Sequence, residues 1–190
     1  MGLNYGTGDP PVPPEMLVGS LRSPKHPTKT PLKRKKVGEK MVKIGVTGHR
    51  PERLKKLTTV SKLTDWLDLQ FHEHGEDFIL ISGMAQGTDQ IAAFEAFLFG
   101  GRLWCYYPYK RKPHEIEDYL NTKADKIRYE YEKYVPQCYI DRDRRIVDDC
   151  DVLLAVWDGI KSGGTWQTIK YAREKGKQIV YFGGNPEEKV

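Results

Sequence analysis

An α/β fold with a doubly wound, mainly parallel sheet and helices on both faces is predicted by two features of this sequence. From residue 41 onward, short apolar runs alternate with amphipathic stretches, the pattern of strands joined by crossover helices. Three of the apolar runs lead directly into glycine-bearing segments. These are Val46-Thr47-Gly48-His49-Arg50-Pro51, Ser82-Gly83-Met84-Ala85-Gln86-Gly87-Thr88-Asp89 and Asp158-Gly159-Ile160-Lys161-Ser162-Gly163-Gly164-Thr165. In a parallel sheet such turns converge on the carboxyl edge. There a glycine permits a tight turn, and the next helix offers amides and the positive end of its dipole to an anion.

The elements follow in order. Val42–Val46 is a short strand with a glycine exit, and Thr58–Glu73 carries Val60, Leu63, Leu67 and Phe71 at helical spacing. Phe78–Ile81 is the second strand. Thr88 and Asp89 open an Ala/Phe-rich helix that runs to Phe99 and stops at Gly100-Gly101. Leu103–Tyr107 reads as the third strand, and the charged, tyrosine-rich stretch His114–Tyr134 as helical before Pro136. Cys138–Ile140 reads as a short strand and Asp141–Asp149 as a short helix. Val152–Trp157 is an apolar strand, Thr165–Lys175 a helix ended by Gly176, and Gln178–Phe182 the last strand. The architecture expected is Rossmann-like.

A chain of 190 residues suits one domain with an appendage. Net charge is +5, but residues 1–40 hold eight basic and three acidic side chains, whereas the remainder holds 23 of each. The folded body is therefore not a basic nucleic-acid-binding surface on charge grounds. Seven of the 12 prolines also fall in residues 1–40, so that segment is expected to be a disordered basic tail and residues 41–190 the domain. Lys33-Arg34-Lys35-Lys36 could touch nucleic acid, although a solvated spacer is the plainer reading.

No apolar run approaches the roughly 18 residues needed to span a bilayer, and the amino terminus lacks a signal-peptide pattern. A cytosolic protein without a membrane partner is expected. Cys105, Cys138 and Cys150 show no C-x-x-C spacing and read as reduced, buried thiols. His72 and His74, two apart on a helix, face different directions. No metal and no cofactor are expected.

Candidate ligand-binding residues come from the glycine segments. Thr47, Gly48, His49 and Arg50 leave the first strand together; backbone amides and Arg50 would hold a phosphate, with His49 against a base or sugar. Ser82, Gly83, Met84, Gly87, Thr88 and Asp89 form the second loop. There Ser82 and the amides can donate to an anion and Asp89 can accept from a ribose hydroxyl, unless Thr88 and Asp89 simply cap the helix. Ser162, Gly163, Gly164 and Thr165 repeat the phosphate-cradle logic, and Asp158 either contacts ligand or closes the turn. Among Arg142, Arg144 and Arg145, an arginine fork suits phosphate, with nearby acids as competing partners. Tyr107 or Tyr109 could stack on a base, against packing in a core strand.

These blocks, with Ala92-Ala93-Phe94-Glu95 and Arg142-Asp143-Arg144-Arg145-Ile146-Val147-Asp148-Asp149-Cys150-Asp151, resemble the SLOG superfamily. That Rossmann-like group unites the Smf/DprA proteins with the LOG cytokinin-riboside-monophosphate hydrolases. The likeness is greatest to its YspA/YpsA-like branch, common in bacteria and their phages, and it covers nearly everything from 41 to 183. It implies a crevice for a nucleotide or nucleotide-derived molecule, with Arg142 at the position of a phosphate-steering arginine, and a homo-oligomer. The LOG motif also implies a lysine where Asp143 stands and a catalytic glutamate where Thr168 stands. A threonine is no general acid or base near neutral pH, so the catalytic residue is unknown. Two alternatives remain open at this point: nucleoside 5′-monophosphate hydrolysis of LOG type, and DprA-like single-stranded DNA binding.

Overall fold

A computed structural model describes residues 41–54, 57–74 and 78–184; the tail expected over residues 1–40 lies outside them. Strands β1 (Val42–Gly48), β2 (Phe78–Ser82), β3 (Arg102–Tyr109), β4 (Lys126–Tyr131), β5 (Val152–Trp157) and β6 (Gln178–Gly183) make one sheet. Its order is β4-β3-β2-β1-β5-β6, and every neighbouring pair is parallel. Five helices connect the strands: α1 (Leu57–His74), α2 (Thr88–Leu98), α3 (Glu115–Asn121), α4 (Cys138–Asp149) and α5 (Gly163–Glu174). A short 3-10 turn, Pro51–Arg53, follows β1.

The burial pattern explains why the sheet is covered on both faces. β2 is buried along its whole length, so Phe78–Ile81 are apolar on both sides and the buried Ser82 hydroxyl at its end is hydrogen-bonded. Ile44, Val46, Leu80 and Leu103 pack with Leu63 and Leu67 of α1, Ala92 and Ala96 of α2, and Leu120 of α3. On the opposite face Ile79, Ile81 and Leu153 pack with Ile146 and Val147 of α4 and Ala172 of α5. Cys105, Cys138 and Cys150 are all buried thiols. Burial pushes Cys105 up to about 12 and Cys150 to about 11, so both are inert at neutral pH. Among the described residues no helix is long and apolar enough to cross a membrane.

Strand order runs outward from β1 through β2 and β3 to β4, then returns to place β5 on the other side of β1. The direction of winding thus reverses between β1 and β5. At such a point the loops leaving two adjacent strands diverge to opposite faces and open a crevice.

Two elements differ from the sequence reading. The stretch His114–Tyr134 is not one helix but the short α3 followed by β4. The reason is period: Ile127, Tyr129 and Tyr131 alternate with Lys126, Arg128 and Glu130, which is strand spacing in β-favouring residues. Asp125 fixes the start of that strand, its N–H bonding Leu103 O at 2.8 Å and its carboxylate accepting the Leu103 N–H at 2.9 Å. Cys138–Ile140 is the first turn of α4 rather than a strand, because Cys138, Arg142 and Ile146, four apart, share that helix's buried face.

Candidate functional site

The loops leaving β1, β2 and β5 meet at the carboxyl edge, and the β1 loop is the link between the other two. Its His49 is buried, and its N–H extends the β1–β5 ladder by bonding Val156 O at 3.2 Å. The His49 carbonyl receives both the N–H of Thr88 at 3.3 Å and its hydroxyl at 3.1 Å, which ties the β1 loop to the start of α2. Close approach explains two glycines here: a side chain on Gly48 would collide with Thr88, and a Cβ on Gly87 would lie 2.7 Å from His49 O.

Toward β5, His49 Nε2 lies 2.9 Å from Asp158 Oδ1 and 3.1 Å from the Asp158 N–H. It donates to the carboxylate in one tautomer and accepts the amide proton in the other. Arg53, from the 3-10 turn, also pairs with the Asp158 carboxylate. Burial works against ionising Asp158, but the Ile160 N–H, His49 and Arg53 together outweigh it and hold the carboxyl below its ordinary range. Arg53 was not singled out in the sequence; its place five residues after Gly48, on a proline-initiated turn, was the signal to follow.

The β2 loop is bonded to itself. Ser82 Oγ donates to Asp89 O at 2.8 Å and accepts the Met84 N–H at 3.1 Å. Met84 holds φ at 56° with its side chain buried in the core, a left-handed conformation fixed by those bonds. Asp89 accepts from the Ala85 N–H and sits 3.8 Å from Arg142 Nη1. Arg142 itself is buried and turned inward: Nη1 donates to Gly83 O, and Nε lies 2.8 Å from Asp143 Oδ1. A side chain at Gly83 would occupy the guanidinium's place. Burial raises the Asp89 carboxyl to about 7, with Arg142 opposing the rise, and burial raises Asp143 too. Arg142 is thus the counter-charge of two carboxyls, Asp89 buried and Asp143 half-buried.

The β5 loop is open. Ser162 is the N-cap of α5 but makes no side-chain cap bond, and Gly87 at the N-cap of α2 has no side chain to make one. Both helices begin at this edge without side-chain caps, but at α2 the Thr88 N–H is taken up by His49 O. Gly163 needs its glycine for a φ of 79°, whereas Gly164 has no positive φ and nothing within 4 Å of a would-be Cβ. Thr165 is buried one residue on, while Thr47 is buried within β1 beside Ala155. The loop is anchored by Trp157 Nε1, which donates to Ile160 O at 2.9 Å, and by the stacking of Trp157 on Trp166. Arg50 is exposed, and among the described residues its guanidinium has no partner. Exposed Lys161 rests against Trp166. Arg53 matches Asp158, and exposed Arg50 and Lys161 exceed the one further acid on the turn, Glu52.

Tyr107 is stacked on Tyr129 and donates to Asn121 Oδ1 at 2.8 Å, and Tyr109 packs edge-on against Tyr134 and Tyr139, so both belong to packing. Thr168 Oγ1 lies 3.0 Å from Gly164 O and 3.3 Å from Asp143 Oδ2. A groove of about 390 Å³ runs between α4 and α5, touching Asp143, Gly164 and Thr168 and flanked by Arg144, Lys170 and Glu174. It does not overlie the β1 and β2 loops. Its walls carry side chains of both signs, and the loop edge carries exposed Arg50 and Lys161 beside the Arg53–Asp158 pair.

No family model matches the chain, and no curated protein matches it in sequence. Solved structures do match its shape. DprA from Streptococcus pneumoniae superposes with a TM-score of 0.62 at 18% identity, over 78% of this chain and 52% of that one. DprA from Helicobacter pylori, described for its single-stranded DNA binding mode, gives 0.61 at 18% identity over 79% and 69%. The molybdenum cofactor carrier protein of Chlamydomonas reinhardtii gives 0.55 at 21% identity over 77% and 79%. What these structures share with the chain is a Rossmann-like α/β fold. The chain spans about half the length of the pneumococcal DprA chain, so the likeness concerns the shared Rossmann-like unit.

Proposed function

We propose that the protein binds a nucleotide or nucleotide-derived small molecule at the carboxyl edge of its sheet, across the β1–β5 crevice, as a member of the YspA/YpsA-like branch. The observation that carries this reading is the start of α5 without a side-chain cap at the same sheet edge as exposed Arg50, whose guanidinium has no partner among the described residues. The ligand phosphate sits on the amides of Gly163, Gly164 and Thr165, with Arg50 as its counter-charge. Arg142 contributes indirectly, by holding the β2 loop in shape through Gly83 and Asp89.

Mass spectrometry of small molecules released from heat-denatured protein identifies the ligand, and thermal-shift measurements across a nucleotide library rank its relatives. Arg50→Ala should weaken binding by about ten- to a hundredfold, as loss of a charge-assisted phosphate contact does, with the melting temperature of the free protein unchanged. No released nucleotide and no shift with any library member would sink the reading.

A second reading, single-stranded DNA binding, is favoured by the basic residues of segment 1–40 and by the likeness to DprA. It requires that DNA affinity fall steeply with salt and that a chain starting at Met41 lose it. Hydrolysis at the glycosidic bond is tested by incubating the protein with nucleoside monophosphates and separating free base. Asp143, against Thr168, is the carboxyl then to be mutated.

A further inference from the structure

The outer edge of β4 is the edge of the sheet, and its sequence reads as its own complement. Asp125 N–H and Tyr131 C=O point toward β3, where they bond Leu103 O and Lys110 N. Main-chain groups alternate sides along a strand. The amides and carbonyls of Lys126, Arg128 and Glu130 therefore point outward, unpaired within the sheet. Exposed strand edges of this kind pair with other strands unless something prevents it. A run of like charges would prevent it; here basic Lys126 and Arg128 are followed by acidic Glu130 and Glu132.

The order of signs selects the partner. Lay a second β4 antiparallel across a two-fold axis through Tyr129, and Arg128 faces Glu130 of the other copy. In the same register Lys126 faces Glu132, Ile127 faces Tyr131, and Tyr129 faces itself. Arg128 and Glu130 are then the residues whose outward main-chain groups exchange hydrogen bonds, while Tyr129 occupies the non-hydrogen-bonded site, where side chains approach most closely. Backbone parity permits this register, and among the permitted ones the order of charges favours it. On the face beside α3, Ile127 is 41% exposed and Tyr129 36%, because that seven-residue helix does not cover them. On the other face Glu130 holds Arg128 at 2.6 Å and Arg145 at 3.9 Å, which places Arg128 and Glu130 side by side along the open edge.

We propose that two copies of the chain pair through β4, antiparallel about Tyr129, joining their sheets into one continuous sheet. The interface lies at the opposite side of the sheet from the β1–β5 crevice and does not depend on the ligand reading.

Sedimentation equilibrium of the full chain should give a dimer. Arg128→Glu sets like charges across the axis and should weaken the dimer at least tenfold. Adding Glu130→Arg in the same chain should restore it. Because a charge reversal can disturb folding, a second measurement fixes the register. Oxidised Tyr129→Cys should form a covalent dimer, since cysteines facing each other at the axis fall within disulfide reach, and Ile127→Cys should not. A wild-type chain that stays monomeric, or a dimer indifferent to Arg128→Glu in which Tyr129→Cys fails to cross-link, overturns the proposal.

Discussion

Arg142 illustrates how far a residue's type reveals its role. An arginine near the carboxyl edge suits a phosphate, yet here its guanidinium is buried against Gly83 O, Asp89 and Asp143. Arg142→Ala should destabilise the fold by about 3–5 kcal/mol, the range for a buried charge partner removed, a loss read from denaturant unfolding. Asp89 gives the matching pH signature. Its carboxyl rises from 3.8 to about 7 on folding because of burial. Between those values the folded state keeps a proton the unfolded state has lost, so this group's contribution to stability declines as pH rises and is level above about 7. Asp89→Asn should therefore gain stability over the wild type progressively from pH 4 to 7 and hold that gain at pH 8. The sequence picked out Ser82, Thr88, Asp89 and Arg142 as polar groups at one edge. It could not reveal that their partners are one another and the main chain, up to 59 residues away.

Among the elements, the glycine loops divide by what demands the glycine. Gly48, Gly83 and Gly87 are required by contacts inside the protein, whereas Gly164 is required by none. Gly83→Ala should displace Arg142 and cost about 2–4 kcal/mol. Gly164→Ala should leave stability unchanged or slightly raised, as Gly-to-Ala changes do at an unstrained site, while weakening nucleotide binding. Calorimetric melting with and without ligand separates the two effects. The strands and their glycine exits were legible because apolar runs and breakers are local signals. β4 was not: its alternation carries charges and tyrosines instead of a one-sided apolar stripe, and it follows a short helix with the same composition.

Across the whole molecule, the winding reversal between β1 and β5 puts three loops far apart in sequence at one edge, with His49 bonded to both neighbours. The alternation of strands and helices foretold a parallel doubly wound sheet, but not its strand order, which sets where the crevice opens. The basic excess of the chain belongs to residues 1–40, and in the charge-balanced remainder Arg50 and Lys161 are exposed cations at the crevice. The most direct measurement is amide NMR of the isotopically labelled protein titrated with nucleoside monophosphates and with the released ligand. This account predicts saturable shifts of the Gly163, Gly164 and Thr165 amides, with smaller ones at Arg50 and Gly87. Shifts confined to the α4–α5 groove or to residues 1–40, with those amides unmoved, would contradict it.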